Sequence, residues 1–468
     1  MRGLTSTIIL IVVLAGLGGY IYFVDSKRPE PGVNGGAASL RVYALEVDKI
    51  DELKLTYNGE TSLLRKSASG WTMVEPVHTE ADPAEAISLA QALTNLERVR
   101  VLDENPGDLT PFGLAQPPII VEFKGAGVVG SLKLGRKTPT QGEIYAQKNG
   151  EKAVFLVSSV QETSFNRTPF DLRDKKILKF EREKADAVTL VRDGNTMALA
   201  RTGSEWKVTA PVASRSDYSS IEGLLTRLST SNMSKLIESD ARDLAKYGLD
   251  KPVMTITVGA GSAKTVLAVG KTENDQTYAR DASRPLVFTV DTTLQGDLTK
   301  AFDEYRKKEL FELRSFYVTR LRAVLDVPGG PKTYDLEKVK GEKPTDNESW
   351  KVTRVGGASH TANAEAMDDL LAKLVALRAE SFVDAKTKTG LDKPALVVSA
   401  SFDQGKFERV RFGQVGDTAF GSREGEAVVA KVDKASMEAA MQAFDLVVMP
   451  PAPAAAATPA PDKVGDKK

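Results

Sequence analysis

One pattern of landmark residues recurs three times along this chain of 468 residues. Each copy contains a tryptophan, a Gly-Leu pair and a later glycine: Trp71, Gly113 and Gly135; Trp206, Gly248 and Gly270; Trp350, Gly390 and Gly413. The Gly-Leu pair lies 42, 42 and 40 residues after its tryptophan, and the later glycine follows after 22, 22 and 23 more. Such regular spacing predicts three tandem copies of one structural unit, in which these landmarks serve the fold.

A closing Phe-Asp pair sets the length of each copy. It occurs at residues 170–171, 302–303 and 444–445, and we therefore place the repeats at residues 40–178, 179–310 and 311–448. At about 135 residues, each copy is long enough to hold a hydrophobic core of its own.

Local signals predict paired strands at the start of each copy. Apolar and polar residues alternate on both sides of Asn58-Gly59, and Asp193-Gly194 takes the same place in the second copy. An Asn-Gly or Asp-Gly pair between alternating runs is a strong signal for a β-hairpin. Three further short strands and a second, shorter helix complete each unit, so the predicted fold class is α+β, with β-rich repeats.

A capped helix is predicted after each tryptophan strand. Asp82, Asp217 and Asn363 each precede apolar residues at helical spacing, so we expect them to be N-caps. In the first copy Pro83 occupies the first helical position, and Glu85 is placed to complete a capping box. One amphipathic helix per repeat should therefore cover the sheet.

The two ends of the chain differ from the repeats. Residues 4–24 form an apolar run without a charge, long enough to cross a hydrocarbon core of roughly 30 Å. The nearest small-residue cleavage site lies a dozen residues downstream, so we expect residues 1–24 to be an uncleaved transmembrane anchor. Residues 25–39 then predict a flexible stalk, and the Pro/Ala-rich residues 449–468 predict a disordered tail.

Composition excludes several classes of function. Lys plus Arg equals Asp plus Glu at 63 each, so no net field attracts nucleic acid. Cysteine is absent, and the two histidines, His78 and His360, lie in different repeats. Thiolate chemistry and a histidine-based metal site are therefore not expected. We expect no catalytic residues, cofactor or metal.

Three motifs resemble chemical sites but fit turns better. Gly125-Ala-Gly127-Val-Val-Gly130 has the glycines of a dinucleotide loop, yet a strand follows it where that loop needs a helix. Gly270-Lys-Thr lacks the earlier glycine of a phosphate-binding loop. The acids of residues 103–108 lack the ligand spacing of a calcium loop.

Basic residues recur where one repeat gives way to the next. They are Arg173, Lys175 and Lys176, and Arg306, Lys307 and Lys308. They could bind acidic partners or anionic lipid, but their matching positions favour a structural role at the junctions.

The order W-x-V-x-x-P, a capped helix, [FY]-G-L-x-x-P, [LV]-G-[RK] and Y-A-[QR] resembles the bacterial family labelled domain of unknown function 4340. The likeness covers nearly all of residues 40–448, and the third copy departs most because it lacks the proline after Trp350 and the Y-A-[QR] element. The resemblance implies a single-pass membrane protein, often encoded beside gliding-type ABC transporter components, without established catalytic residues.

Three functional hypotheses follow. The leading one is a non-enzymatic accessory protein of an ABC-type, gliding-like transport system, anchored in the bacterial inner membrane by residues 4–24, with its repeats in the periplasm. The second is an extracytoplasmic protein that binds glycan or lipid, which predicts exposed aromatic side chains along a groove. The third, an enzyme acting on cell-wall polymer, would need acids clustered in one repeat and missing from the other two.

Overall fold

The computed structural model describes residues 40–340, 348–384, 386–403 and 405–448, which form three antiparallel sheets of nine strands each. The prediction of three tandem, β-rich repeats is confirmed. Two compact units meet in the sequence between Lys175 and Lys176, and the second unit contains two of the three sheets. The predicted anchor, stalk and tail lie outside the described residues.

The first unit contains one sheet with the strand order β4-β3-β2-β1-β6-β7-β8-β9-β5. Its strands are β1 (Ile50–Tyr57), β2 (Glu60–Ser67), β3 (Gly70–Glu75), β4 (Thr79–Glu80), β5 (Arg100–Asp103), β6 (Ile119–Gly125), β7 (Val128–Lys137), β8 (Glu143–Lys148) and β9 (Val154–Ser158). Its helices are α1 (Pro83–Thr94), α2 (Val160–Phe165) and α3 (Pro169–Leu172). Helix α1 thus connects the two edge strands, β4 and β5.

The second unit repeats this order twice, as β13-β12-β11-β10-β15-β16-β17-β18-β14 and β22-β21-β20-β19-β24-β25-β26-β27-β23. The second sheet consists of β10 (Ala187–Arg192), β11 (Asn195–Thr202), β12 (Glu205–Ala210), β13 (Ser214–Arg215), β14 (Lys235–Glu238), β15 (Met254–Ala260), β16 (Ala263–Glu273), β17 (Gln276–Asp281) and β18 (Val287–Val290). The third consists of β19 (Val318–Leu325), β20 (Lys332–Val339), β21 (Ser349–Arg354), β22 (Ser359–Thr361), β23 (Ala379–Val383), β24 (Leu396–Phe402), β25 (Lys406–Val415), β26 (Thr418–Arg423) and β27 (Val429–Val432). The helices are α4 (Tyr218–Thr230), α5 (Thr292–Leu298), α6 (Ala364–Ala376) and α7 (Lys434–Val447).

The predicted hairpins and caps are present. Asn58 and Gly59 have φ of 49° and 87° between β1 and β2, as a two-residue primed turn requires, and Asp193-Gly194 repeats this between β10 and β11. The Asp82 carboxylate accepts from the N–H of Ala84 at 2.9 Å, and the Asp217 and Asn363 side chains cap α4 and α6 in the same way. These three N-cap predictions are confirmed.

The capping box predicted at Glu85 is wrong. The backbone N–H of Asp82, which Glu85 would accept, donates to the Leu172 carbonyl at 2.9 Å. The Glu85 carboxylate instead accepts from Arg167 Nε at 2.9 Å. Both groups of the predicted box, the Asp82 N–H and the Glu85 carboxylate, therefore bind residues at the end of the repeat instead of each other.

The two glycines of each copy lie against each other, which explains their fixed spacing. Gly113 has φ of +70° and ends a short 3-10 turn (Thr110–Phe112) that lies on strand β7. A Cβ added at Gly135 would come within 2.2 Å of the Phe112 carbonyl oxygen. The same contact occurs at Gly270 and at Gly413, at 2.2 and 2.3 Å. A side chain at any of these three positions would push the turn off the strand.

Each sheet packs its core beneath its capped helix. Trp71 and Trp206 are buried, and Trp350 is half-buried against the core of the third sheet. The indole N–H of Trp206 donates to Glu222 on α4 at 3.1 Å, so this tryptophan also ties helix to sheet. No helix in the described part of the chain combines the length and apolar composition that a membrane crossing requires.

Candidate functional site

The motifs that resembled chemical sites form turns and strands. Ala126 and Gly127 have φ of 50° and 75° in the hairpin between β6 and β7, and Gly270 lies inside strand β16. The Asp103 and Asp108 carboxylates accept backbone N–H groups of their own loop, from Asn105 at 3.0 Å and Thr110 at 2.8 Å. Within the described ranges, no three His, Asp or Glu side chains are grouped to hold a metal ion.

The basic residues at the repeat ends contact their own chain. Arg173 and Arg306 are buried, and the Arg306 guanidinium donates to the Val212 carbonyl at 3.1 Å and to Ser214 Oγ at 2.7 Å. Burial lowers the pKa of Arg306, and nearby acids partly offset this. The lysines donate to carbonyls or carboxylates: Lys175 to Asp171, Lys176 to Thr230, Lys307 to Glu312 and Lys308 to Glu304.

Residues 303–310, here called the joining segment, connect the second and third sheets of the second unit. On one side Lys307 N–H donates to the carbonyl of Arg215, in the edge strand β13, at 3.2 Å. On the other side Ala379 N–H donates to the Lys308 carbonyl at 2.7 Å, at the start of the edge strand β23. The joining segment therefore pairs with both sheets.

A cluster of six charged side chains surrounds the end of the joining segment and is here called the joint: Arg215, Lys307, Glu312, Glu408, Arg423 and Glu426. Arg215 comes from the second sheet and pairs with Glu312 at 2.9 Å and with Glu426. Glu408 has a fully buried side chain, pairs with Arg423, and accepts the N–H groups of Glu312 and Leu313 at 3.0 and 3.1 Å. Three cations thus balance three anions.

The contacts of the joint hold Glu312 and Arg215 in the charged state. Burial by itself would raise the pKa of Glu312, but hydrogen bonds from Lys307 and Arg215, together with their charges, hold it at about 2. Burial would likewise lower the pKa of Arg215, but Glu426 and Glu312 outweigh that effect and raise it. Glu312 and Arg215 are therefore both charged at neutral pH.

Sequence reasoning missed Arg215, Glu408, Arg423 and Glu426. One signal was present: Glu408 falls on the inward phase of β25, in step with the buried Val410 and Phe412. A carboxylate at a core position of an alternating strand needs partners, because a buried charge without them is very costly. The partners themselves come from distant positions.

A groove of about 810 Å³ lies beside the third sheet and is lined by the aromatic pair Phe316 and Tyr317. These side chains are 79% and 49% exposed, with their rings edge to face at a centroid distance of 5.3 Å. Lys338 Nζ lies 5.3 Å from the Phe316 ring and 3.0 Å from Glu348. A second cavity of about 610 Å³ shares Arg314, Asp403 and Lys406 with this groove and reaches Glu205 of the second sheet.

Comparisons with known proteins give a family but no activity. A family model described as "Domain of unknown function (DUF4340)" matches residues 71–212 and 206–394, and each match begins at a repeat tryptophan. No curated protein matches the sequence. A solved structure of a DNA polymerase sliding clamp from Pseudomonas aeruginosa is 10% identical over 85% of this chain and 95% of that one, with a TM-score of 0.15, which is too low to indicate a shared fold.

Proposed function

This chain belongs to the family described as domain of unknown function DUF4340, and we propose that it is a non-enzymatic interaction scaffold of the bacterial envelope. In this proposal residues 4–24 anchor the protein in the inner membrane and the repeats lie in the periplasm. There they contact subunits of an ABC-type, gliding-like transport system, as the family resemblance suggests. The protein holds partners in place and performs no chemistry.

The joint is the observation that supports a scaffold. Six charged groups that could otherwise serve a reaction are paired with one another, and Glu408 also secures two backbone N–H groups. A buried ionic network costs much desolvation energy and adds little net stability, but it fixes the geometry of the groups that form it. The second and third repeats, held in one geometry by the joint, would present a constant surface to partners.

Affinity purification tests this proposal. Tagged full-length protein is purified from detergent-solubilised membranes, and its partners are identified by mass spectrometry against a control that carries residues 1–39 alone. We expect transporter subunits in stoichiometric amounts with the full chain and none with the control. A full-length protein that purifies alone contradicts the proposal.

The groove beside Phe316 and Tyr317 favours a second candidate function, the binding of a glycan. Exposed aromatic faces with cations and acids at their rim suit a ligand that is apolar on one face and hydroxylated at its edges. We expect Phe316→Ala to weaken the binding of soluble cell-wall glycan fragments at least tenfold by calorimetry. Phe407→Ala is the control, because Phe407 is also exposed on the third sheet but does not line the groove. If Phe316→Ala binds the glycan fragments as tightly as Phe407→Ala does, the groove is not the binding site.

A further inference from the structure

The edge strand β23 of the third sheet is covered by the end of the second repeat. The N–H of Phe382 donates to Asp303 Oδ2 at 3.2 Å, and the Arg306 guanidinium lies 5.5 Å from the centre of the Phe382 ring. An acid and a cation of the joining segment thus close this edge. In this fold, the free side of this edge strand thus accepts an extended segment that carries an acid and a cation.

The first sheet has the same edge in the same register. Val42 N–H donates to the Leu96 carbonyl and Arg98 N–H to the Leu40 carbonyl, both at 2.8 Å. These bonds match those of Leu310 to Leu377 and of Ala379 to Lys308 in the third sheet. The residue five positions after Leu96 is Val101, which therefore corresponds to Phe382, five after Leu377.

In the first sheet this edge is exposed and apolar. Val99, Val101 and Leu102 are 52%, 45% and 41% exposed, whereas Phe382 and Val383 are half-buried. An edge strand with unpaired backbone groups and exposed apolar side chains is a template for pairing with another chain. Arg100 adds positive charge, since its side chain is 62% exposed and its nearest carboxylate, Glu143, is 3.9 Å away.

The sequence before the first sheet differs from the joining segment at the positions that make these contacts. Arg41 and Glu309 occupy matching bridges, and the residues that precede Arg41 by the same number of positions as 303–306 precede Glu309 are 35–38, which read Gly-Gly-Ala-Ala. They carry neither the carboxylate of Asp303 nor the guanidinium of Arg306. A second copy does not offer a matching segment either, because the Asp445 carboxylate of the third repeat is held by Lys332 at 2.9 Å and by Tyr334.

We infer that β5 is a docking site for an extended segment of a partner protein. The segment adds to the free side of the strand, places an Asp or Glu where it accepts the Val101 N–H, and covers Val101 and Leu102 with apolar side chains. This inference rests on the proposed scaffold function and names the surface that would carry it.

Photo-cross-linking of the full-length protein in native membranes tests the docking site. A photo-reactive amino acid replaces Val101 in one variant and Val129, exposed in the β6–β7 hairpin of the same unit, in the control. We expect at least tenfold more cross-linked partner from position 101, with the attachment mapped by mass spectrometry to a segment that has an Asp or Glu within two residues. A cross-link from position 101 to residues 1–39, to a second copy or to lipid alone would overturn the inference.

Charge substitution separates the docking site from the proposed function. Leu102→Asp should reduce the co-purified partner at least tenfold, because its carboxylate repels the acid of the partner segment, while Val129→Asp leaves it unchanged and both variants keep the melting temperature of the parent. If both variants retain the partner equally, the docking site is wrong and the scaffold function stands. If the parent protein itself retains no partner, both are wrong.

Discussion

Removing the charge of Glu408 should destabilise the second unit more than any surface ion pair does. Glutamine keeps one acceptor oxygen, so one of the two backbone N–H groups of Glu312 and Leu313 loses its acceptor and faces an amide NH₂ group. Arg423 also loses its buried counter-charge. A lost hydrogen bond to a charged group and a broken buried pair together cost about 3 kcal/mol. For a unit of this size that lowers the melting temperature by roughly 6 °C.

Calorimetry of the full-length protein measures this effect. Glu424→Gln is the matched control, because Glu424 is 55% exposed and its nearest cation, on Arg409, is 3.5 Å away. The control should change the unfolding free energy by less than about 0.5 kcal/mol. Both residues lie in the second unit, so neither substitution should change the unfolding of the first unit. Equal shifts for the two variants would refute the argument that the joint holds the second and third repeats together.

Three further outcomes are expected. The pKa of Glu312 is held at about 2 against an ordinary value of 4.5. Its contribution to the free energy of unfolding is therefore complete above pH 4.5 and is lost as the pH falls toward 2. Glu312→Gln should make the free energy of unfolding depend less on pH over that range. Gly270→Ala places a Cβ 2.2 Å from the Tyr247 carbonyl oxygen and should lower the free energy of unfolding by about 3 kcal/mol. Gly223→Ala is the control, because Gly223 faces open space on α4, and it should raise that free energy by about 0.5 kcal/mol. Urea unfolding measures both. Asp217→Ala should cost about 1 kcal/mol through its lost cap, and Asp217→Asn should restore most of it.

Features set by neighbouring residues could be predicted from the sequence. Asn58-Gly59 specifies its turn by backbone preference alone, and Asp82 caps a helix whose first N–H groups are two and three residues away. The repeat spacing also led to the correct number of sheets. The physical reason for that spacing, the contact of Gly113 and Gly135, becomes visible only when the turn is placed on its strand.

Features set by distant residues could not be predicted. All four residues of strand β5 are exposed, so the strand lacks the alternation of buried and exposed positions that predicts a strand. Its partner strand begins more than fifty residues later, at Val154. Glu85 pairs with Arg167, 82 residues away, instead of completing the predicted capping box. Arg215 and Glu426 are separated by 211 residues, and no local pattern relates them.

The joint also bears on the choice between the two proposed functions. A protein that closes on a ligand needs a hinge, and a hinge driven by pH needs a group that titrates near neutrality. The described joint consists of glutamate, arginine and lysine side chains, and its contacts move the pKa of Glu312 down and that of Arg215 up, away from neutrality. The pair of Glu312 and Arg215 therefore stays charged through mild acid. A connection fixed by this pair suits a scaffold that holds partners in register, and it favours glycan binding in a preformed groove such as the one beside Phe316.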